Sequence, residues 1–182
     1  MFISRELKQR SIAEYLIYMW QVEDMIRANQ FDLNRINKNI VQQYSSLNQQ
    51  QKDELLLWYE SLITMMNNEG VKENGHLQIN RIIIIMLTDL HQQLLHSKKF
   101  PYYEAAYYKA LPFIVELRAK GAHDDTPELE TCFNALYGVL LLKLQKKNVS
   151  KQTADAIKAI SSLLAILSEY YIKDKQGELD ID

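Results

Sequence analysis

Glycine and proline are scarce in this chain of 182 residues, which holds five Gly and three Pro. Average usage would give roughly 22 of the two together at this length. Val and Thr are also few, whereas Leu is abundant. Straight-chain residues favour helices and β-branched residues favour strands. The composition therefore argues against an all-β sandwich, a Rossmann-type dinucleotide-binding fold and a disordered tail protein.

Cysteine is rare, and long apolar runs are absent. A single cysteine, Cys132, excludes an intrachain disulfide and fits a reducing cytoplasm. The longest apolar stretch covers residues 135–142, whereas a membrane-spanning helix needs about 20 residues. Charged residues appear within the first six positions, which is unlike a secretory signal. We expect a soluble cytoplasmic protein with no membrane partner.

An excess of basic charge is absent as well. The formal net charge is -2 and the isoelectric point is near 6.1. The six Arg are scattered along the sequence. Nucleic-acid binding usually needs a basic field, so we expect no nucleic-acid partner.

Helical periodicity dominates what is present. Apolar residues recur at steps of three and four along most of the chain. Ser, Asp and Asn stand at cap positions, and Asp125 with Pro127 predicts the start of the sixth helix. The predicted helices cover residues 4 or 11 to 28, 33–44, 48–69, 76–97, 102–120, 127–147 and 151–172. The predicted fold is all-α, a single-domain antiparallel bundle of about seven helices over residues 1–173, followed by an acidic disordered tail over residues 174–182.

Two residues interrupt this helical plan. Pro112 lies inside the fifth predicted helix and should kink or split it, because its nitrogen cannot donate to the carbonyl of Tyr108. Gly138 lies inside the sixth, the most apolar helix, which is expected at the centre of the bundle. The simplest explanation of Gly138 is the close approach of a neighbouring helix.

The run IAEYLIYMWQVEDMIRA over residues 12–28 resembles the opening helix of an uncharacterised all-helical family from Bacteroidetes. The segment FPYYE at residues 100–104 and the run to Pro112 fit the same family. That family is catalogued only as a domain of unknown function. The resemblance implies a small bacterial cytoplasmic helical protein, and it carries no activity and no functional residues to transfer.

The first predicted helix holds a polar cluster of Trp20, Glu23, Asp24 and Arg27. Glu23 and Arg27 form an i, i+4 pair, and Asp24 and Arg27 an i, i+3 pair. One interpretation is a solvated or half-buried ion pair that fixes helix packing. The other is a patch that contacts a ligand or a partner, with an aromatic platform beside a charged fork.

The fifth predicted helix offers an aromatic cluster instead. Tyr103 and Tyr107 share one face, whereas Tyr102 and Tyr108 lie off that face. Tyrosine combines an apolar body with a polar tip and suits both interfaces and pockets. The alternative interpretation is packing at the edge of the core.

Residues for metal binding or catalysis do not form a recognisable pattern. Glu73 and His76 give one Glu-x-x-His spacing, whereas a di-iron bundle needs two. His91 and His96 point away from each other on a helix, and the His-Asp-Asp run at residues 123–125 is better explained as a loop before a helix cap. Cys132 lies on the most apolar helix, where burial keeps a thiol inert. We predict no metal, no cofactor and no catalytic residues.

The sequence constrains the function of the protein less than it constrains the fold. The hypothesis favoured by the sequence is a non-enzymatic protein-interaction or scaffold module that associates with itself or with a protein partner. The alternative is a small-molecule-binding protein or an enzyme with a Tyr-lined pocket between the first and fifth predicted helices.

Overall fold

Helices make up all of the regular secondary structure in the computed structural model, which describes residues 1–120 and 126–181. The all-α fold class is confirmed, and the described residues form eight α-helices where about seven were predicted. They are α1 (Phe2–Arg10), α2 (Ile12–Ala28), α3 (Leu33–Asn39), α4 (Gln49–Asn68), α5 (Gln78–His96), α6 (Pro101–Lys120), α7 (Glu128–Leu144) and α8 (Lys151–Gln176), with a turn of 3-10 helix at Val41–Gln43 between α3 and α4.

Side-chain caps mark the starts of α3, α4 and α8. Asp32 accepts hydrogen bonds from two backbone N–H groups of α3, and Ser150 accepts one from the Thr153 N–H in α8. Asn48 forms a reciprocal capping box with Gln51 at the start of α4. These side chains satisfy N–H groups that the helix itself leaves without partners, which is why the sequence located these starts correctly.

Other helix boundaries differ from the prediction. The predicted helix start at Ser11 is confirmed, because its hydroxyl accepts the Glu14 N–H at the start of α2, but residues 2–10 form a separate helix, α1, that was not predicted. Helix α3 ends at Asn39 rather than near residue 44. Helix α7 begins after Pro127, and the predicted cap Asp125 lies outside the described residues. Helix α8 continues to Gln176, beyond the predicted helix end at residue 172.

The contacts divide the chain into two units. The first contains residues 1–6 and 18–82, and its buried side chains come mainly from α2 and α4. The second contains the described residues of 7–17 and 83–182. In this second unit α6 packs against α7 and α8, and the Ser168 hydroxyl of α8 accepts the Ala13 N–H of α2. Its core includes five large apolar side chains: Leu16, Leu87, Phe133, Ile160 and Leu163.

Pro112 neither splits α6 nor ends it, since the helix is continuous from Pro101 to Lys120. Proline removes one intrahelical hydrogen bond, to the carbonyl of Tyr108. Both Pro112 and Tyr108 are exposed, so water can bond to that carbonyl. Of the two outcomes predicted for Pro112, the split is therefore excluded, and a kink of α6 stays a prediction.

Helix α7 is less buried than predicted. Its first half contributes Leu129, Cys132 and Phe133 to the core. In its second half only Val139 is buried, and Leu144 is exposed. The apolar composition of α7 therefore overestimated how much of this helix is buried.

Gly138 is not explained by close packing, because a Cβ built on it would meet no atom within 4 Å. Its φ is also not in the left-handed region that requires glycine. The expectation of a closely approaching helix was therefore wrong. Gly138 lies beside open space.

Gly138→Ala should raise the free energy of unfolding by about 1 kcal/mol, because alanine has the higher helix propensity and its methyl group meets no neighbour. Urea unfolding measures the change. Gly70→Ala is the control, since Gly70 has a φ of +69° and alanine is strained there, so stability should fall. A loss of stability in Gly138→Ala would contradict this account of α7.

Candidate functional site

Glu23 on α2 is fully buried and is the centre of a polar cluster in the first unit. Its Oε1 accepts the Leu77 N–H at 3.0 Å and the Asn80 amide at 2.7 Å. Its Oε2 lies 2.6 Å from Nδ1 of His76. Both Leu77 and Asn80 are also fully buried. The carboxylate therefore provides partners for polar groups at the start of α5.

Trp20, one turn before Asp24, is also fully buried. Its ring stacks on the ring of His76, with centroids 3.9 Å apart and planes 9° apart. His76 thus contacts Trp20 through its face and Glu23 through its edge. Trp20 therefore stacks on a side chain of the chain itself, and its role as an aromatic platform for a ligand or partner stays a prediction.

Arg27 holds the loop between α4 and α5. Its guanidinium donates to the carbonyls of Val71, Lys72 and Gly75 at 3.1, 3.3 and 2.5 Å. It also forms an ion pair with Asp24 at 2.7 Å. The predicted i, i+3 pair is therefore present. The predicted i, i+4 interaction is replaced, because the carboxylate of residue 23 turns inward to α5.

A second polar cluster lies in the second unit and includes Tyr103. Tyr103 and His91 are both buried, and the Tyr103 hydroxyl lies 2.5 Å from Nδ1 of His91. Burial lowers the pKa of His91 from 6.5 to about 4, so the imidazole is neutral near pH 7. The Tyr103 hydroxyl can donate a hydrogen bond to Nδ1 of the neutral ring when the single ring proton is on Nε2.

Tyr107 and Glu128 complete this second cluster. The Tyr107 hydroxyl is hydrogen-bonded to the Glu128 carboxyl. Oε1 of Glu128 lies 3.9 Å from Nε2 of His91 and, among the described residues, accepts no hydrogen bond. Burial raises the pKa of Glu128. The sequence did not indicate the pairing of Glu128 with His91, because the two residues lie on different helices.

Nucleophilic groups in this cluster are kept protonated. Burial raises the pKa of the Cys132 thiol to about 12 and raises the pKa of Tyr103 above its ordinary value of 10. The thiolate and the phenolate are therefore rare at neutral pH. The predicted burial of Cys132 is confirmed, and its lack of reactivity stays a prediction.

The structure places the six candidate contact residues in two clusters. Trp20, Glu23, Asp24 and Arg27 lie together in the first unit, and Tyr103 and Tyr107 lie on α6 in the second. That they contact a ligand or a partner stays a prediction. Tyr102 and Tyr108 are exposed, as their positions off the Tyr103 face indicated.

No set of three or more His, Cys, Asp or Glu side chains within residues 1–120 and 126–181 could hold a metal ion. His76, from the single Glu-x-x-His spacing, is bonded to Glu23 instead. The His-Asp-Asp run at residues 123–125 lies outside the described residues.

The length and apolar character of the helices in the described parts of the chain decide whether any of them could span a membrane. None of them, in the described parts of the chain, combines the length and the apolar character that crossing a bilayer requires.

The protein is all-α, and the two polar clusters described above mainly connect its own helices. The chain belongs to a family described as a domain of unknown function, DUF4924, whose family model matches residues 1–178. This confirms the family membership that residues 12–28 and 100–112 indicated. Comparison with curated proteins and with solved structures found no match.

Proposed function

We propose that the protein is a non-enzymatic interaction module that associates with a second copy of itself through the outer face of α6. Five residues of α6, all exposed, form this surface, which we call the α6 face: Ala105, Tyr108, Pro112, Val115 and Ala119.

The spacing of the α6 face is the observation that carries the proposal. Its residues follow one another at steps of 3, 4, 3 and 4. That is the pattern by which two helices pack side by side in a coiled coil. The inner face of α6, with Tyr103, Ala110 and Ile114, is already buried. A second apolar stripe on the opposite side is therefore surplus to the fold of one chain.

The sizes and charges on this face favour a second copy as the occupant. In an antiparallel pair, placing Pro112 opposite the partner's Val115 places Tyr108 opposite the partner's Ala119. Large side chains then meet small ones, as interdigitated packing requires.

The same arrangement brings Lys109 close to the partner's Glu116. Lys109 is exposed, and a hydrogen bond from Lys120 together with its positive charge lowers the pKa of Glu116, which keeps it anionic. The two-fold symmetry repeats this attraction on both sides of the pair.

Val115→Glu should weaken self-association at least about tenfold, because it puts a charge where an apolar side chain would be buried. Size-exclusion chromatography with light scattering measures the mass. Leu57→Glu on α4 is the matched control, since Leu57 is 61 % exposed and Val115 58 % exposed. Dissociation by Leu57→Glu with no effect of Val115→Glu would refute the assignment of the face.

We further propose a bacterial cytoplasmic location. The support is the single Cys132, buried as a free thiol in a fold without a disulfide among the described residues, and the resemblance to a bacterial family. Cell fractionation with detection of the native chain tests this, and recovery from an oxidising compartment would contradict it.

A further inference from the structure

An open groove lies in the second unit between α6, α7 and α8. Its volume is about 290 Å³. Its walls are mainly apolar, and the residues that define it include Phe113, Leu117, Gly138, Val139, Leu142 and Ile157. The three helices that form it pack directly against one another. The groove therefore belongs to one packed body and does not depend on the other unit.

Gly138 gives a reason to regard this groove as more than a packing defect. Glycine inside a helix is unfavourable relative to alanine. Neither a left-handed φ nor a close neighbour requires glycine at this position. Because Gly138 lines the groove and a Cβ there would meet only open space, the missing side chain leaves the groove wider. Helix stability therefore does not explain why residue 138 is glycine, whereas a binding site in the groove does.

The rim of the groove is polar along one edge. Glu116 accepts hydrogen bonds from Lys120 and from the Gln152 amide, the latter at 3.1 Å. Lys120 and Glu116 carry opposite charges, so this edge has no net charge. A carboxylate ligand would be repelled by Glu116, and an ammonium ligand by Lys120. A hydroxyl or a primary amide can donate to Glu116 and accept from Lys120 or Gln152.

We infer that this groove binds a small uncharged amphiphile, with an apolar body along Phe113, Val139 and Ile157 and a hydroxyl or amide group at the Glu116 edge. The volume equals that of roughly ten water molecules, which limits the ligand to a single ring or a short chain. The groove contains none of the five residues of the α6 face, and Glu116 is the residue that it shares with the proposed pair of chains.

Titration with 1-octanol, followed by two-dimensional ¹H–¹⁵N NMR below its solubility limit, tests the inference. We expect saturable shifts of the Gly138 and Val139 amides, with a dissociation constant in the millimolar range or tighter. Gly138→Leu fills the groove and should weaken binding at least about tenfold. Ala154→Leu is the matched control, because Ala154 is exposed on α8 outside the groove lining and binding should persist.

The charge of the head group is tested by comparing octanoate and octylammonium with 1-octanol. Weaker binding of both ions supports the uncharged class, and tighter binding of either one overturns it. The absence of saturable shifts with 1-octanol, or equal binding by wild type and Gly138→Leu, overturns the site itself. Circular dichroism of Gly138→Leu verifies that the variant is folded.

Discussion

Glu23→Ala should lower the free energy of unfolding by about 3–5 kcal/mol, because it removes the acceptor that three groups share. The Leu77 N–H and the Asn80 amide would remain buried without that partner, and His76 would lose its contact with the carboxylate. Buried polar groups left without hydrogen bonds are among the costliest consequences of a single substitution. Urea unfolding followed by circular dichroism measures the loss.

Asp24→Ala is the matched control for Glu23→Ala. Asp24 is the next residue of α2 and also forms an ion pair, but its side chain is 45 % exposed. Exposed pairs contribute little, so the expected loss is below about 1 kcal/mol. Equal losses in the two variants would mean that the interior position of Glu23 has no special effect on stability.

Acidification should destabilise the protein through His91. Because burial lowers the pKa of His91 from 6.5 to about 4, the unfolded chain binds a proton there that the folded chain does not bind between these values. This contribution to stability is complete above pH 6.5 and is lost as the pH falls toward 4. The loss is about 2 kcal/mol by pH 5 and about 3 kcal/mol below pH 4.

His91→Gln isolates this contribution, since glutamine keeps a polar side chain and does not titrate. The free energy of unfolding of the variant should fall less between pH 7 and pH 5 than that of the wild type. Glu128, which faces Nε2 of His91, has a raised pKa and is present in both proteins. Parallel pH profiles for the two proteins would show that His91 does not carry the effect.

The helices could be predicted because their signals are local. The stripe Ile12, Tyr15, Met19, Val22 and Ile26 on α2 is buried throughout, as its steps of three and four indicated. The start of α3 at residue 33 was predicted correctly for the same reason, because its Asp32 cap bonds to residues only two or three positions away.

The candidate site could be predicted only in part. Trp20, Glu23, Asp24 and Arg27 do cluster, but the groups that Glu23 binds lie 53 to 57 positions away in the sequence. Helical spacing shows which residues share a helix face and not which distant helix start meets that face. For that reason the sequence could not identify Asn80, and it could not pair Glu128 with His91.

Gly138 is a second example of a feature whose surroundings could not be predicted from the sequence. A glycine in an apolar helix indicates that a side chain is absent, and the sequence cannot say whether a neighbouring helix or empty space takes its place. The open space around Gly138 comes from the arrangement of α6, α7 and α8 in three dimensions.

The central claim, that the α6 face binds a second copy, is tested most directly by sedimentation equilibrium of the wild-type chain over a wide range of concentrations. We expect the weight-average mass to rise with concentration from the 21.4 kDa of one chain toward twice that value. A mass that stays at 21.4 kDa up to millimolar concentration would contradict the proposal.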